Sequence, residues 1–142
     1  SYCAGIAFTR SYVGYVHGIA HSLGGKYGIP HGLANAVLMP LVLKSYGTSI
    51  HKKLHELAII AGVSSVNDSH KDGAEKFISA IKELNKRMNI PERLSGIKAE
   101  DIPKMAKHAE KEANPLYPVP VLMTAEELEG FYIKVADWSL TQ

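Results

Sequence analysis

The 142 residues are 46% hydrophobic and 21% charged, with 16 basic against 14 acidic side chains and a formal charge of +2. That balance suits one folded domain with a core of its own and excludes a disordered chain. The charges are interspersed, with no basic stripe to hold nucleic acid, and no apolar run approaches the roughly 18 residues that a membrane span needs.

Tyr2 to Leu23 carries apolar residues at helical spacing, among them Ile6, Val13, Val16 and Ala20, and predicts a first helix. Gly24-Gly25 is expected to end it, because glycine takes the left-handed C-terminal conformation without a Cβ penalty. Lys26 to Pro30 then reads as a loop. A second helix is predicted from His31 or Gly32 to about Tyr46, kinked or broken at Pro40, and Gly47 punctuates its end. A third runs from about Ser49 to Ile60 and stops at Gly62. A fourth follows Asp68 or Ser69, carries Phe77, Ile78, Ile81, Leu84 and Met88, and must stop before Pro91. A fifth spans about Ala99 to Ala113, closed by Asn114-Pro115. The many Lys and Glu from Lys98 to Glu112 read as an exposed, charge-alternating helix. Leu116 to Val121, with Pro118 and Pro120, reads as extended loop. Thr124 and Glu127 form a capping box for a last helix that reaches about Asp137. No stretch has the two-residue alternation of a strand. The expectation is an all-α fold of about six or seven helices in one bundle, a single domain over 1–142.

Cys3 is the only cysteine, so no intrachain disulfide is possible. A lone thiol fits a reducing cytoplasm, and Cys3 itself reads as a small buried hydrophobe. No secretory pattern opens the sequence. Ser1 to Ala7 reads as the inside of a helix already under way, so the 142 residues are expected to be part of a longer chain.

Chemistry concentrates in G-Y-V-H-G-I-A-H-S-L-G-G-K-Y-G-I-P-H-G-L-A-N-A-V, which holds His17, His21 and His31. Neutral imidazole is a common ligand for zinc and iron. His17 and His21 lie four apart and project from one helix face. On one straight helix His31 would be roughly 21 Å from His17, so a shared site requires the chain to double back. Gly24, Gly25, Gly28 and Pro30 supply that turn. By themselves these residues leave two readings open, a metal site and a solvated helix face. No Asp or Glu occurs between Ser1 and Lys53 to complete a ligand set. His51 and His55, beside Lys52, Lys53 and Glu56, read as a solvated face. His70 and His108 read as surface residues, and Trp138 as a packing anchor.

The same stretch closely resembles the signature of iron-containing (group III) alcohol dehydrogenases. The matching residues are His17, Ala20, His21, Leu23, Gly24, Gly25, Tyr27, Pro30, His31, Gly32, Asn35, Ala36, Met39 and Pro40. N-P-L-Y-P-V-P at 114–120 and the T-A-E-E-L that follows also resemble family segments. The resemblance implies the C-terminal, helical, metal-binding domain of a dehydroquinate-synthase-like two-domain enzyme. Its activity would be hydride transfer between an alcohol and NAD or NADP, with Fe2+ or Zn2+ as Lewis acid. The family holds its metal with one Asp and three His, and two of those histidines fall on His17 and His31. His21 matches a histidine beside the metal and the nicotinamide, with a part in proton movement or cofactor placement. Phe8 and Val13 fall where the family lines its substrate pocket, or else they pack the core. Ser22 stands where the family often has Pro or Gln.

The family's Asp, its first His ligand and its Gly-rich pyrophosphate turn have no counterpart in these residues. The 142 residues alone are therefore expected to be inactive. A small alcohol or aldehyde substrate, a homodimer and a cytoplasmic setting are further expectations. A glycerol dehydrogenase, a hydroxyacid-oxoacid transhydrogenase or a dehydroquinate-synthase-like lyase is an alternative within the superfamily. A non-catalytic helical metal-binding module is an alternative outside enzymology.

Overall fold

The structure is a computed structural model that describes residues 1–114 and 116–140. Among these, seven α-helices follow one another: α1 Tyr2–Ser11, α2 Tyr15–Tyr27, α3 His31–Ser45, α4 His51–Ile60, α5 His70–Arg87, α6 Ile102–Ala113 and α7 Ala125–Val135. Short 3-10 turns cover Gly47–Ser49, Ala99–Asp101 and Trp138–Leu140. The all-α expectation holds. The described residues form no strand, and the nearest approach to one is an isolated bridge between Leu94 and Ala136.

The core lies between α2, α3, α6 and α7. Ile19 and Leu23 of α2, Leu38 and Val42 of α3, Ala106 and Ala109 of α6 and Leu128 and Tyr132 of α7 are all fully buried. α6 is therefore amphipathic, with Ile102, Met105, Ala106, Ala109 and Ala113 inward, and is not the wholly exposed charged helix that its Lys and Glu suggested. Side chains with no volume to spare let α2 and α6 approach closely. A Cβ on Gly18 would lie 3.5 Å from the Ala109 carbonyl oxygen and 3.9 Å from Ala113 Cβ.

The first predicted helix is two helices. The chain breaks at Tyr12, whose φ of 60° is left-handed, and α2 restarts at Tyr15. α1 buries none of its residues; Tyr2, Ile6, Phe8 and the adjoining Tyr12 are exposed. Cys3 is exposed as well, contrary to its reading as a buried hydrophobe. At the other end α2 runs through Gly24-Gly25 to Tyr27. Its left-handed cap is Gly28, at φ 67°, whose N–H donates to the Gly24 carbonyl. Gly28 can take that conformation because it has no Cβ.

Pro40 does not break α3, which is continuous from His31 to Ser45. A proline at 40 cannot donate to the carbonyl four residues back. That carbonyl, of Ala36, accepts instead from Asn85 Nδ2 of α5 at 2.7 Å. Of the two starts left open for the fourth predicted helix, Asp68 and Ser69, the structure takes Ser69, and the predicted capping box is present. Ser69 caps α5 by accepting from Asp72 N–H, and Thr124 with Glu127 makes both bonds of a capping box on α7. The expected closure of α6 at Asn114-Pro115 has its proline outside the described residues; Asn114 is the C-cap, in extended conformation. Trp138 is half-buried against the core, and its Nε1–H donates to the Ile133 carbonyl.

His55 is buried, not solvated. Its Nε2 bonds the Ser65 carbonyl at 2.9 Å and its Nδ1 faces His70 Nδ1 at 3.1 Å. A carbonyl only accepts, so Nε2 carries the proton and Nδ1 accepts from His70. The pair pins the 61–69 loop between α4 and α5, and His70 is thereby more than a surface residue.

Candidate functional site

The turn at Gly28 to Pro30 reverses the chain and delivers His31, the first residue of α3, to the face of α2 that carries His17 and His21. The ring centroids of His17 and His31 are 5.2 Å apart, those of His21 and His31 5.3 Å, and those of His17 and His21 5.9 Å. The doubling back expected from the glycines and the proline brings all three imidazoles together. His17 is half-buried, whereas His21 and His31 are exposed. Burial lowers the His17 pKa below its ordinary value, and the neighbouring rings of His31 and His21 lower it further. A neutral ring keeps a lone pair available for an electrophile.

Two side chains hold the other rings. Asn35, one turn along α3, places Nδ2 2.8 Å from His31 Nε2, while its Oδ1 is buried with no hydrogen-bond partner among the described residues. His21 Nδ1–H donates to Glu112 Oε1 of α6 at 2.6 Å. The same oxygen accepts from the Tyr117 hydroxyl at 2.7 Å. Burial raises the Glu112 pKa, but the bonds from Tyr117 and His21 outweigh it and hold the carboxyl below its ordinary range. The Tyr117 hydroxyl is pushed up to about 12 by burial and by its bond to Glu112.

Glu112 lay unmarked in the sequence because it sits 91 residues from His21, among the charges of α6. Its only local signal is that Ala109 and Ala113, three before and one after, are small enough to lie under α2.

The loop that follows α6 is tied to the same site. Tyr15 Oη donates to Asn114 Oδ1 at 2.6 Å and accepts from Met123 N–H at 2.8 Å. Asn114 Nδ2 donates to the Met123 carbonyl. This clamp fixes the start of α2 against the end of α6. Ser22, the departure from the signature, faces away from the histidines. Its hydroxyl donates to the Ile19 carbonyl and shares a 2.5 Å bond with the buried Tyr132 hydroxyl.

Phe8 and Val13 are not on the helix of His17. Phe8 is an exposed residue of α1 and Val13 sits half-buried in the break, so no continuous helix face joins them to the histidines. Of its two readings, core packing does not hold for Phe8, which is 58% exposed.

The donor set suits a borderline metal such as iron or zinc in kind but falls short in number. Among the described residues no group of three or more His, Cys, Asp or Glu side chains is disposed to hold a metal ion. Glu112 engages His21 through Nδ1 alone.

The model of the Fe-containing alcohol dehydrogenase family, C-terminal part, matches residues 1–135. This chain belongs to that family. The chain is 42% identical over 116 residues to 1,3-propanediol dehydrogenase of Klebsiella pneumoniae, covering 80% of the chain and 30% of the relative. It is 38% identical over 141 residues to alcohol dehydrogenase 4 of Saccharomyces cerevisiae, covering 96% of the chain and 35% of the relative. A crystal structure of 1,3-propanediol oxidoreductase superposes with a TM-score of 0.85 at 37% identity, over 93% of this chain and 35% of that one. The chain thus spans about a third of the length of these family members. No helix among the described residues is long and apolar enough to cross a membrane.

Proposed function

We propose that these residues form the metal-binding helical domain of a metal-dependent NAD(P) alcohol dehydrogenase, with His17 and His31 as two ligands of an Fe2+ or Zn2+ ion. The observation that carries this is the meeting of three imidazoles from two helices beside a chain reversal. When bound, the metal supplies a Lewis acid that makes an alcohol easier to deprotonate near neutral pH. The chain's own residues do the rest of what is proposed here. His17 stays neutral through burial. His31 is oriented by Asn35. His21, beside both, presents a ring able to take or give a proton. Packing of α2 on α3 across the Gly28 to Pro30 turn fixes the distances in advance, which is where the protein contributes to rate. The remaining ligands and the nucleotide site belong to residues outside these 142, so the isolated chain is expected to show no turnover with NADH and an aldehyde.

The exposed apolar side chains Tyr2, Ile6, Phe8 and Tyr12 belong to the same proposal. We assign their cover to the rest of the enzyme or to a second copy, and sedimentation of the isolated chain distinguishes monomer from dimer.

The test of the metal reading is thermal unfolding with and without Zn2+. A ligand that binds only the folded state raises stability by about 2.7 kcal/mol at 100 times its Kd. The wild-type melting temperature should rise with zinc, and H17A and H31A should each abolish most of the rise. An equal rise in all three proteins would remove the basis for the proposed ligands.

A further inference from the structure

We propose that Glu112 is a positioning residue for His21, holding that ring with Nδ1–H toward α6 and Nε2 toward whatever enters the histidine site. The proposal rests on the functional reading above but is decided by a different measurement.

A carboxylate can only accept hydrogen bonds, so the 2.6 Å contact requires the proton on His21 Nδ1. In the neutral ring the lone pair is then on Nε2, at the opposite edge. Which nitrogen of a histidine carries the proton is set by the bond the other makes. The His21 side chain is 41% exposed. Without a partner such a ring would sample rotamers and both tautomers.

Glu112 is itself held by one direct bond, and the helix that carries it is seated by packing. Tyr117 donates to the same oxygen from the following loop. The small residues Gly18, Ala109 and Ala113 set the separation of the two helices. The Tyr15, Asn114 and Met123 clamp locks their ends. His108 Nδ1 stands 4.0 Å from the other carboxylate oxygen and does not compete for the first. The carboxylate is therefore a fixed acceptor built by tertiary packing, in a place that the histidine motif does not specify.

The experiment is long-range 15N–1H correlation of the histidine side chains in the 142-residue chain, with His21 assigned from H21Q. In wild type His21 should show a protonated Nδ1 with a slowly exchanging Nδ1–H. E112A should lose that Nδ1–H resonance. E112Q, whose amide oxygen still accepts, should keep Nδ1 protonated, and this rescue separates positioning from mere packing. Y117F should keep it too, because the His21 bond does not pass through the hydroxyl. If E112A does not fold, as judged by far-UV circular dichroism, the comparison of wild type, E112Q and Y117F carries the test. An unprotonated Nδ1 in wild type, or an unchanged Nδ1–H in folded E112A, overturns the proposal. Failure of the zinc-dependent melting shift with an intact His21 signature would instead overturn the functional reading and leave the positioning role standing.

Discussion

Replacing Gly73 with alanine should destabilise the fold, against the usual direction for a glycine inside a helix. Gly73 lies in the first turns of α5, directly over the buried ring of His55. A Cβ there would overlap His55 Cδ2 and lie 2.5 Å from Cγ and 2.9 Å from Cβ. Carbon atoms prefer about 3.5–4.0 Å, so the overlap is at least about 1 Å at Cγ and larger at Cδ2. Rotating the ring does not relieve it, since His55 Cβ is also too near. Either α4 and α5 part or His55 leaves its place. Overpacking costs about 1–3 kcal/mol. Losing the bonds to Ser65 and His70 adds about 1 kcal/mol each. The gain in helix propensity returns only ~1 kcal/mol. The net is a loss of about 2–4 kcal/mol, against a total stability of about 5–15 kcal/mol for a domain of this kind. Urea unfolding followed by circular dichroism reads it as a midpoint lowered by about 1–2 M. G130A is the control, because nothing lies within 4 Å of a Cβ at Gly130 in α7, and it should gain about 0.5–1 kcal/mol. In an H55A background the ring overlap is gone and only the 2.9 Å approach to the Cβ at position 55 remains, so the G73A penalty should there be much smaller. A G73A penalty that persists undiminished in H55A would refute the argument.

The proline in α3 offers a second check. N85A removes the donor to the Ala36 carbonyl and should cost about 1–3 kcal/mol in the same assay, the penalty of an acceptor left without a partner. T124A breaks the capping box on α7 and should cost about 1 kcal/mol. The acid branch of the stability curve tests Glu112. Its pKa is lowered in the folded state, so its contribution is complete above the ordinary Glu value of about 4.3 and is lost as pH falls through the folded value. The stability difference between wild type and E112Q should therefore shrink from about pH 6 to about pH 3. A difference that grows on acidification would mean that the carboxylate is not stabilised by Tyr117 and His21.

Local chemistry was legible in the order of residues. The capping signals at Ser69 and Thr124, the stops at Gly47 and Gly62 and the all-α class follow from side chains and neighbours a few positions apart, where φ/ψ preference and short-range hydrogen bonds decide. The convergence of His17, His21 and His31 was legible for the same reason, since one short glycine-containing turn controls it. What could not be read was whatever depended on a partner far along the chain. Gly24-Gly25 continue α2 because packing against α3 and α6 outweighs glycine's small helix penalty. Pro40 is carried through α3 because Asn85, 49 residues from Ala36, takes the Ala36 carbonyl that the proline leaves open. His55 looks solvated beside its lysines, yet Gly73 and the Ser65 carbonyl make a seat for it. Glu112 reads as one charge among many until α6 lies against Gly18. Sequence alone determined the all-α class, the capping box and the three-histidine motif, because those are set within a few turns of chain. Only tertiary structure decided which carboxylate meets His21 and which histidine is buried, because those contacts exist only once distant helices have packed.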